Sequence, residues 1–136
     1  MGLQGGCLCG AVRYEASGAV THPTLCHCMD CRRASGAPAL AWFSVRRDAL
    51  RWTRGTPARN PSSPGVERLF CGNCGTQLTW HSAAAPDEID VTTGSLDDPD
   101  ALPPADHTYY SQRVRWLHLA DDLPRYPRLR TDGMEA

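Results

Sequence analysis

Lysine is absent from the 136-residue chain, so its 14 basic residues are all arginines. Without a lysine side chain, no lysine Schiff base can form with a carbonyl substrate. The chain also lacks any apolar run near the roughly 20 residues needed to span a bilayer. Charge of either sign is not in excess, because the net charge is −1. These absences exclude lysine Schiff-base catalysis and argue against a membrane span and against general nucleic-acid binding.

Two targeting patterns are also missing from the first ten residues, "MGLQGGCLCG". These ten residues have no charged segment followed by an apolar one, as a signal peptide requires. Gly6 stands where a myristoylation motif needs Ser or Thr. We therefore expect a cytoplasmic protein, in a compartment where thiols stay reduced. The length fits a single domain over residues 1–136.

The hydrophobic pattern predicts a mainly β fold with short turns of helix. Strands are predicted at residues 11–16, 39–45, 50–54, 66–71, 77–82, 88–96 and 107–111. The segment 57–65 carries three prolines and two serines, which predicts a loop. Helix is expected only at 29–35, ending at Gly36, and as one turn at 97–102. The last twelve residues, "RYPRLRTDGMEA", are expected to be extended and then frayed.

The chain has seven cysteines. Because disulfides are rare in a reducing compartment, metal binding is the usual role of so many cysteines there. They fall into three groups along the chain. These are C-x-C at Cys7 and Cys9, C-x-C-x-x-C at Cys26, Cys28 and Cys31, and C-x-x-C at Cys71 and Cys74.

The first and last groups together predict a closed structural zinc site. On an extended strand Cys7 and Cys9 would point to the same face, because side chains alternate along a strand. Cys71 and Cys74 lie in "CGNCGT", where glycines allow the tight turn of a zinc knuckle. Four thiolates make the tetrahedral shell that structural zinc prefers. That these two pairs share one ion is an inference from their number.

The three central cysteines are one ligand short of a closed shell. Catalytic zinc often has three protein ligands and keeps its fourth position open, so the shortage would suit a reactive site. A histidine could instead close the shell and make a second structural site, and we weigh the two alternatives equally. By residue type the candidates are His81, His107 and His118. A different partition, with Cys7 and Cys9 joining the central group, would leave Cys71 and Cys74 without partners.

Four segments in order resemble the glutathione-dependent formaldehyde-activating enzyme family, also called the centromere-protein-V-like family. They are "GGCLCGAVRYE", "CHCMDCRRASGAP", "FCGNCGTQLTW" and "TTGSLDDP". The resemblance extends from about Gly5 to about Tyr126, where "RVRWLHLADDLPRYP" is similar to the family's C-terminal segment. It implies a domain core at about 5–126 and a Mss4-like, β-rich zinc-binding fold.

The resemblance also implies two Zn²⁺ per chain and a reaction. It assigns a structural zinc to Cys7, Cys9, Cys71 and Cys74, and a second zinc to Cys26, Cys28 and Cys31. The family's named enzyme is a carbon–sulfur lyase that condenses glutathione with formaldehyde to S-hydroxymethylglutathione. For this chain we expect the same type of reaction with glutathione or another thiol and a small aldehyde.

Three charged or titratable residues near the central group are candidate contacts. Arg32 and Arg33 follow Cys31 directly, and arginine binds carboxylates such as those of glutathione with a bidentate fork. Consecutive helical residues point about 100° apart, so both are not expected to face one site. His27 lies between two cysteines, where it is either a proton shuttle or a histidine at the surface or behind the ligands that hydrogen-bonds the loop; we favour the second.

Two other functions fit the same cysteines. One is a non-catalytic zinc-binding module of Mss4-like fold, for which a fourth protein ligand at the second zinc would be evidence. The other is a redox or zinc-responsive switch, because clustered thiolates oxidise readily. An open three-cysteine site favours the enzyme over both.

Overall fold

The computed structural model describes residues 2–132. Ten strands account for most of its regular structure: β1 (Leu3–Gly6), β2 (Arg13–Ala16), β3 (Thr21–Cys26), β4 (Leu40–Arg46), β5 (Leu50–Arg54), β6 (Ala58–Ser63), β7 (Val66–Phe70), β8 (Gln77–Ser82), β9 (Glu88–Thr92) and β10 (Asp106–Thr108). One α-helix, α1 (Met29–Ser35), and short 3-10 turns such as Thr93–Ser95 and Pro99–Ala101 complete it. Within 2–132, no helix is long and apolar enough to cross a membrane.

The strands form two sheets. The small sheet has the order β1-β2-β5, and the large sheet has the order β10-β3-β4-β9-β8-β7-β6. Neighbouring strands are antiparallel except β10, which runs parallel to β3. A mainly β fold with short helical turns was predicted, and it is confirmed.

The main core lies between the two sheets. Tyr14 from β2 packs there with Phe43 and Val45 from β4 and with Val91 from β9, all at most 1% exposed. Because side chains alternate along a strand, the neighbours Trp42, Ser44 and Asp90 point to the other face of the large sheet. That outer face, which α1 contacts at β4, carries the pocket described below.

One predicted loop is a strand. The segment 57–65 contains β6, which pairs with β7 at the edge of the large sheet. Its proline at position 61 is tolerated because edge strands need only half of their ladder hydrogen bonds and because the register shifts between Asn60 and Ser63. The composition of the segment indicated a loop, but pairing with the otherwise unpaired edge of β7 makes it a strand.

Two further strands, β1 and β3, were not predicted. β1 is glycine-rich, and β3 contains a proline and a register shift between Thr21 and Thr24. The predicted helix at 29–35 has the bounds of α1, and Gly36 ends it in the left-handed conformation with φ of 75°. The predicted frayed end at residues 133–136 lies outside the described residues.

Gly5 makes the closest approach between β1 and the rest of the core. A Cβ at this position would collide with the Ser95 carbonyl oxygen and with the hydroxyl of Tyr14, which itself hydrogen-bonds Ser95 at 2.7 Å. We expect Gly5→Ala to lower the free energy of unfolding by about 1–3 kcal/mol through overpacking. Gly94→Ala is the matched control, because a Cβ there meets nothing within 4 Å. Thermal melts of the two variants check this, and equal melting temperatures would contradict it.

Candidate metal centres

Four cysteines distant in sequence meet at one end of the core. The Sγ atoms of Cys7, Cys9, Cys71 and Cys74 all lie within 4.8 Å of one another. Cys9 is 3.7 Å from Cys7 and 3.8 Å from Cys71, sulfur to sulfur. Zinc–sulfur bonds of about 2.3 Å in a tetrahedron place sulfurs roughly 3.8 Å apart, so the four fit a zinc ion.

Backbone turns, not a strand, present the first pair. Cys7 follows β1 and Cys9 lies in a turn closed by the Gly10 N–H, which donates to the Cys7 carbonyl at 3.1 Å. The extended arrangement expected for this pair is therefore wrong. Gly10 has φ of 79°, a conformation that glycine adopts without strain, and this lets the chain turn back toward β2.

Hydrogen-bond donors around the four sulfurs favour thiolates. The Val12 N–H donates to Cys7 at 3.2 Å, and the Asn73 side-chain amide donates to Cys9 at 3.3 Å. Backbone N–H groups of Asn73 and Cys74 both point to Cys71 at 3.4 Å. Donors that stabilise negative sulfur are what a metal-binding thiolate cluster requires.

The second cluster joins the end of β3 to the start of α1. The Sγ atoms of Cys26, Cys28 and Cys31 lie within 4.8 Å of one another, and Cys26 is 3.5 Å from Cys31. Cys28 is the N-cap of α1, where its sulfur accepts the Cys31 backbone N–H at 3.2 Å. The helix start therefore holds two of the three sulfurs on one side.

The three thiols compete for negative charge. Hydrogen bonding from Cys26, then from Cys31, lowers the pKa of Cys28 to about 2. The same contact with Cys28 raises the pKa of Cys26, with burial adding to the effect. By itself the cluster thus stabilises one thiolate, and a divalent cation is what allows three to lie together. The donor set fits zinc, which favours thiolate sulfur.

Within residues 2–132, no fourth ligand completes the second cluster. His81 bonds the Pro86 carbonyl at 3.0 Å, His107 bonds two other side chains, and His118 is exposed. The closed shell that a histidine would have made is not formed by the described part of the chain. The grouping of the cysteines into four and three is the one that the sequence predicted.

His27 is buried rather than at the surface, with 1% of its area exposed. Its Nε2 lies 2.8 Å from Nδ1 of His107, whose Nε2 lies 3.1 Å from both carboxylate oxygens of Asp121. Burial, with His107 second, lowers the pKa of His27 to about 4. The His27 backbone N–H also donates to the Thr108 carbonyl at 3.0 Å. These bonds fix the loop between Cys26 and Cys28 to β10, which agrees with the loop-bonding interpretation.

A pocket of about 620 Å³ opens beside the three sulfurs. Cys26, Cys28 and Cys31 line one end of it. Aromatic rings of Trp42, Trp80 and Tyr109 pack around the same cluster. The indole Nε1 of Trp42, which belongs to this cluster, is buried without a hydrogen-bond partner. An unpaired donor beside a sulfur cluster suits an anionic sulfur.

Neither arginine proposed from the sequence lines this pocket. Arg33 is exposed, and Arg32 is half-buried with its Nε atom unpaired. The first turn of α1 faces the pocket through Met29 and Asp30, whereas the last turn, which carries the arginines, does not. A substrate contact for Arg32 or Arg33 stays a prediction without support from the pocket lining.

The pocket's own arginines were missed by sequence reasoning. They are Arg68 on β7 and Arg130 near the end of the described chain. Asp90 on β9, half-buried and hydrogen-bonded by the Ser44 hydroxyl at 2.6 Å, was missed as well. The available signal was a charged residue placed between the apolar Val66 and Phe70 on one side of a predicted strand.

Two cysteine clusters that could hold metal ions lie on a mainly β scaffold, one of them beside a pocket. The sequence profile of the glutathione-dependent formaldehyde-activating enzyme matches residues 2–112. The chain belongs to this family, as its resemblance in four cysteine-bearing and flanking segments implied.

Two relatives extend the comparison. An uncharacterized lyase of Schizosaccharomyces pombe is 34% identical over 77 residues, which is 55% of this chain. The matched part spans about half, 54%, of that lyase. The crystal structure of a Rhodobacter sphaeroides protein, a structural genomics target, superposes with a TM-score of 0.57 at 29% identity. It covers 70% of this chain and 88% of the other.

Proposed function

We propose that the protein is a zinc-dependent carbon–sulfur lyase-type enzyme that adds a thiol, such as glutathione, to formaldehyde or another small aldehyde. The product is an S-hydroxymethyl-type adduct. The observation that carries the proposal is a three-sulfur cluster that lines a pocket large enough for a small organic substrate. Family membership supports the reaction type.

Two zinc ions per chain are part of this proposal. Cys7, Cys9, Cys71 and Cys74 would hold a structural zinc, and Cys26, Cys28 and Cys31 would hold the second. When bound in the three-sulfur cluster, zinc would favour the thiolate form of a substrate thiol and keep its sulfur at the pocket wall. Three thiolates already lower the charge of the ion, which makes a soft sulfur ligand a better fit than a hard oxygen one.

The chain's own residues would position and shield that sulfur. Trp42, Trp80 and Tyr109 pack against the cluster and would exclude water from one side of it. The unpaired Trp42 indole N–H would donate to a thiolate sulfur there. The pocket opening leaves the other side free for the aldehyde.

The bond changes are simple. The thiol first loses its proton to solvent; the thiolate sulfur then forms a bond to the carbonyl carbon, the C=O π pair moves to the oxygen, and the oxygen takes a proton from solvent. The reverse direction releases the thiol and the aldehyde. Because this addition already proceeds in water, the rate enhancement by the enzyme would come from the supply and the positioning of thiolate.

Metal analysis with zinc-edge X-ray absorption tests the proposal directly. We expect two zinc ions per chain with an average of about 3.5 sulfur ligands, from one four-sulfur and one three-sulfur shell. Glutathione should raise the average to about 4, because its thiol replaces a lighter ligand. S-methylglutathione is the control, since it has no free thiol and should change nothing. Two closed shells that ignore glutathione would instead indicate the non-catalytic zinc-binding module.

A further inference from the structure

Arg68 is a buried cation without a partner. Only 5% of its area is exposed, its Nη1 atom is fully buried, and no acceptor or carboxylate among residues 2–132 pairs with it. Its neighbour Glu67, on the opposite face of β7, pairs with Arg59. A charge removed from water without a counter-charge is costly, so a buried and unpaired guanidinium indicates an anion that the protein alone does not supply.

The other arginine of the pocket is already paired. Arg130 holds Asp106 through two hydrogen bonds, of 2.9 and 3.0 Å, and contacts His22 at 2.8 Å. Asp90 also has its own partner in Ser44. Of the two arginines that line the pocket, Arg68 alone therefore has a guanidinium available to a ligand.

The sheet register places Trp80 between Arg68 and the three sulfurs. Arg68 lies opposite Trp80, and Trp80 packs against the cluster that contains Cys26, Cys31 and Trp42. All five residues line the same pocket. A ligand with its sulfur at the three cysteines and its other end past Trp80 would meet the guanidinium.

We propose that Arg68 binds a carboxylate of the thiol substrate and so selects acidic thiols, such as glutathione, over neutral ones. This inference rests on the proposed function. Guanidinium and carboxylate match as a bidentate pair, and burial strengthens the charge-assisted hydrogen bonds. The assignment also replaces Arg32 and Arg33, which lie outside the pocket lining, with an arginine inside it.

Isothermal titration of the zinc-loaded protein tests the assignment with two probes, glutathione and the carboxylate-free 2-mercaptoethanol. For Arg68→Met we expect glutathione to bind roughly 10- to 100-fold more weakly, as loss of a charged hydrogen-bond pair does. Affinity for 2-mercaptoethanol should not change. Arg68→Lys, which keeps the charge without the planar fork, should fall between the two.

Arg59→Met is the matched control, because it removes the same charge from the paired strand at an exposed site. It should bind both thiols as the unmodified protein does. Melting temperatures establish that the variants are folded, and removal of an unpaired buried charge should not lower stability. If Arg68→Met binds both thiols like the unmodified protein, the assignment is overturned and the proposed function stands. If the unmodified protein binds neither thiol, both are overturned.

Discussion

Replacing Cys71 with serine is expected to unfold the protein and to release one zinc ion per chain. Structural zinc contributes about 10–16 kcal/mol to folding in zinc-finger peptides, as much as the roughly 5–15 kcal/mol total stability of a typical protein. The four-sulfur cluster joins the turn after β1 to the turn between β7 and β8, so its loss would separate the two sheets at that end. Circular dichroism melts and metal analysis measure both effects.

Cys71 does not by itself separate metal binding from packing, because it is 1% exposed and belongs to the main core. Cys9 provides that separation, since its side chain is exposed. Cys9→Ser should lose the same zinc and unfold for that reason alone, because it removes no packing from the core. The double variant should be little worse than either single one, because removing one ligand already disrupts the shared site.

Leu8→Ala is the control for the turn itself, because Leu8 is 90% exposed and lies between the two ligands. It should keep two zinc ions and an unchanged melting temperature. Retention of two zinc ions by Cys9→Ser, with normal melting, would show that these four cysteines do not form a metal site.

Each half-site could be predicted because its cysteines are close in sequence, whereas the pairing of the two half-sites followed only from their number. Cys71 and Cys74 are separated by two residues in a turn with Gly75, whose φ of 84° lets the chain reverse. The conformation of Cys7 and Cys9 could not be predicted from spacing, since C-x-C fits a strand and a turn equally well. Hydrogen bonding of Gly10 to Cys7 decided it.

The bounds of α1 were predictable for the same reason. Gly36 ends the helix through local backbone conformation, and its N–H donates to the Arg32 carbonyl at 2.7 Å. What Arg32 and Arg33 would face was not predictable. Helix orientation depends on how α1 packs against β4, a tertiary contact that the spacing of residues does not specify.

The pocket could not be derived from the sequence because it depends on strand order. Arg68, Trp80, Asp90 and Ser44 come together only since β7, β8, β9 and β4 are neighbours in that order. Apart from the charge of Arg68 between two apolar residues, nothing in the separate segments singles these residues out. Burial of the opposite face of the sheet against Tyr14 and its neighbours sets the strand register. That register aligns these four side chains across the outer face.

Replacing Cys28 with serine should leave a folded protein with one zinc ion and without catalysis. Cys28 belongs to the smaller apolar cluster on the outer face, away from the core between the sheets. Serine is also a favourable N-cap, so its hydroxyl can accept the Cys31 N–H as the sulfur does now. Thus the substitution removes a metal ligand and little else.

The rate of adduct formation from glutathione and formaldehyde, followed by NMR exchange, should fall to the uncatalysed rate. Cys28→Ala separates the two roles of the side chain. It should lose the same activity and in addition about 1 kcal/mol of stability, because alanine cannot cap the helix. A difference in stability between the two variants without a difference in activity is the expected pattern.

The comparison of Cys28→Ser with Cys71→Ser tests most directly whether one cluster is structural and the other reactive. Equal unfolding of both would mean that the three-sulfur cluster is structural too, and the open-site argument would fail. Full activity in Cys28→Ser would place the reaction elsewhere in the molecule. Because a structural zinc acts through folding and a reactive one through the pocket, only the proposed arrangement predicts loss of stability in one variant and loss of catalysis alone in the other.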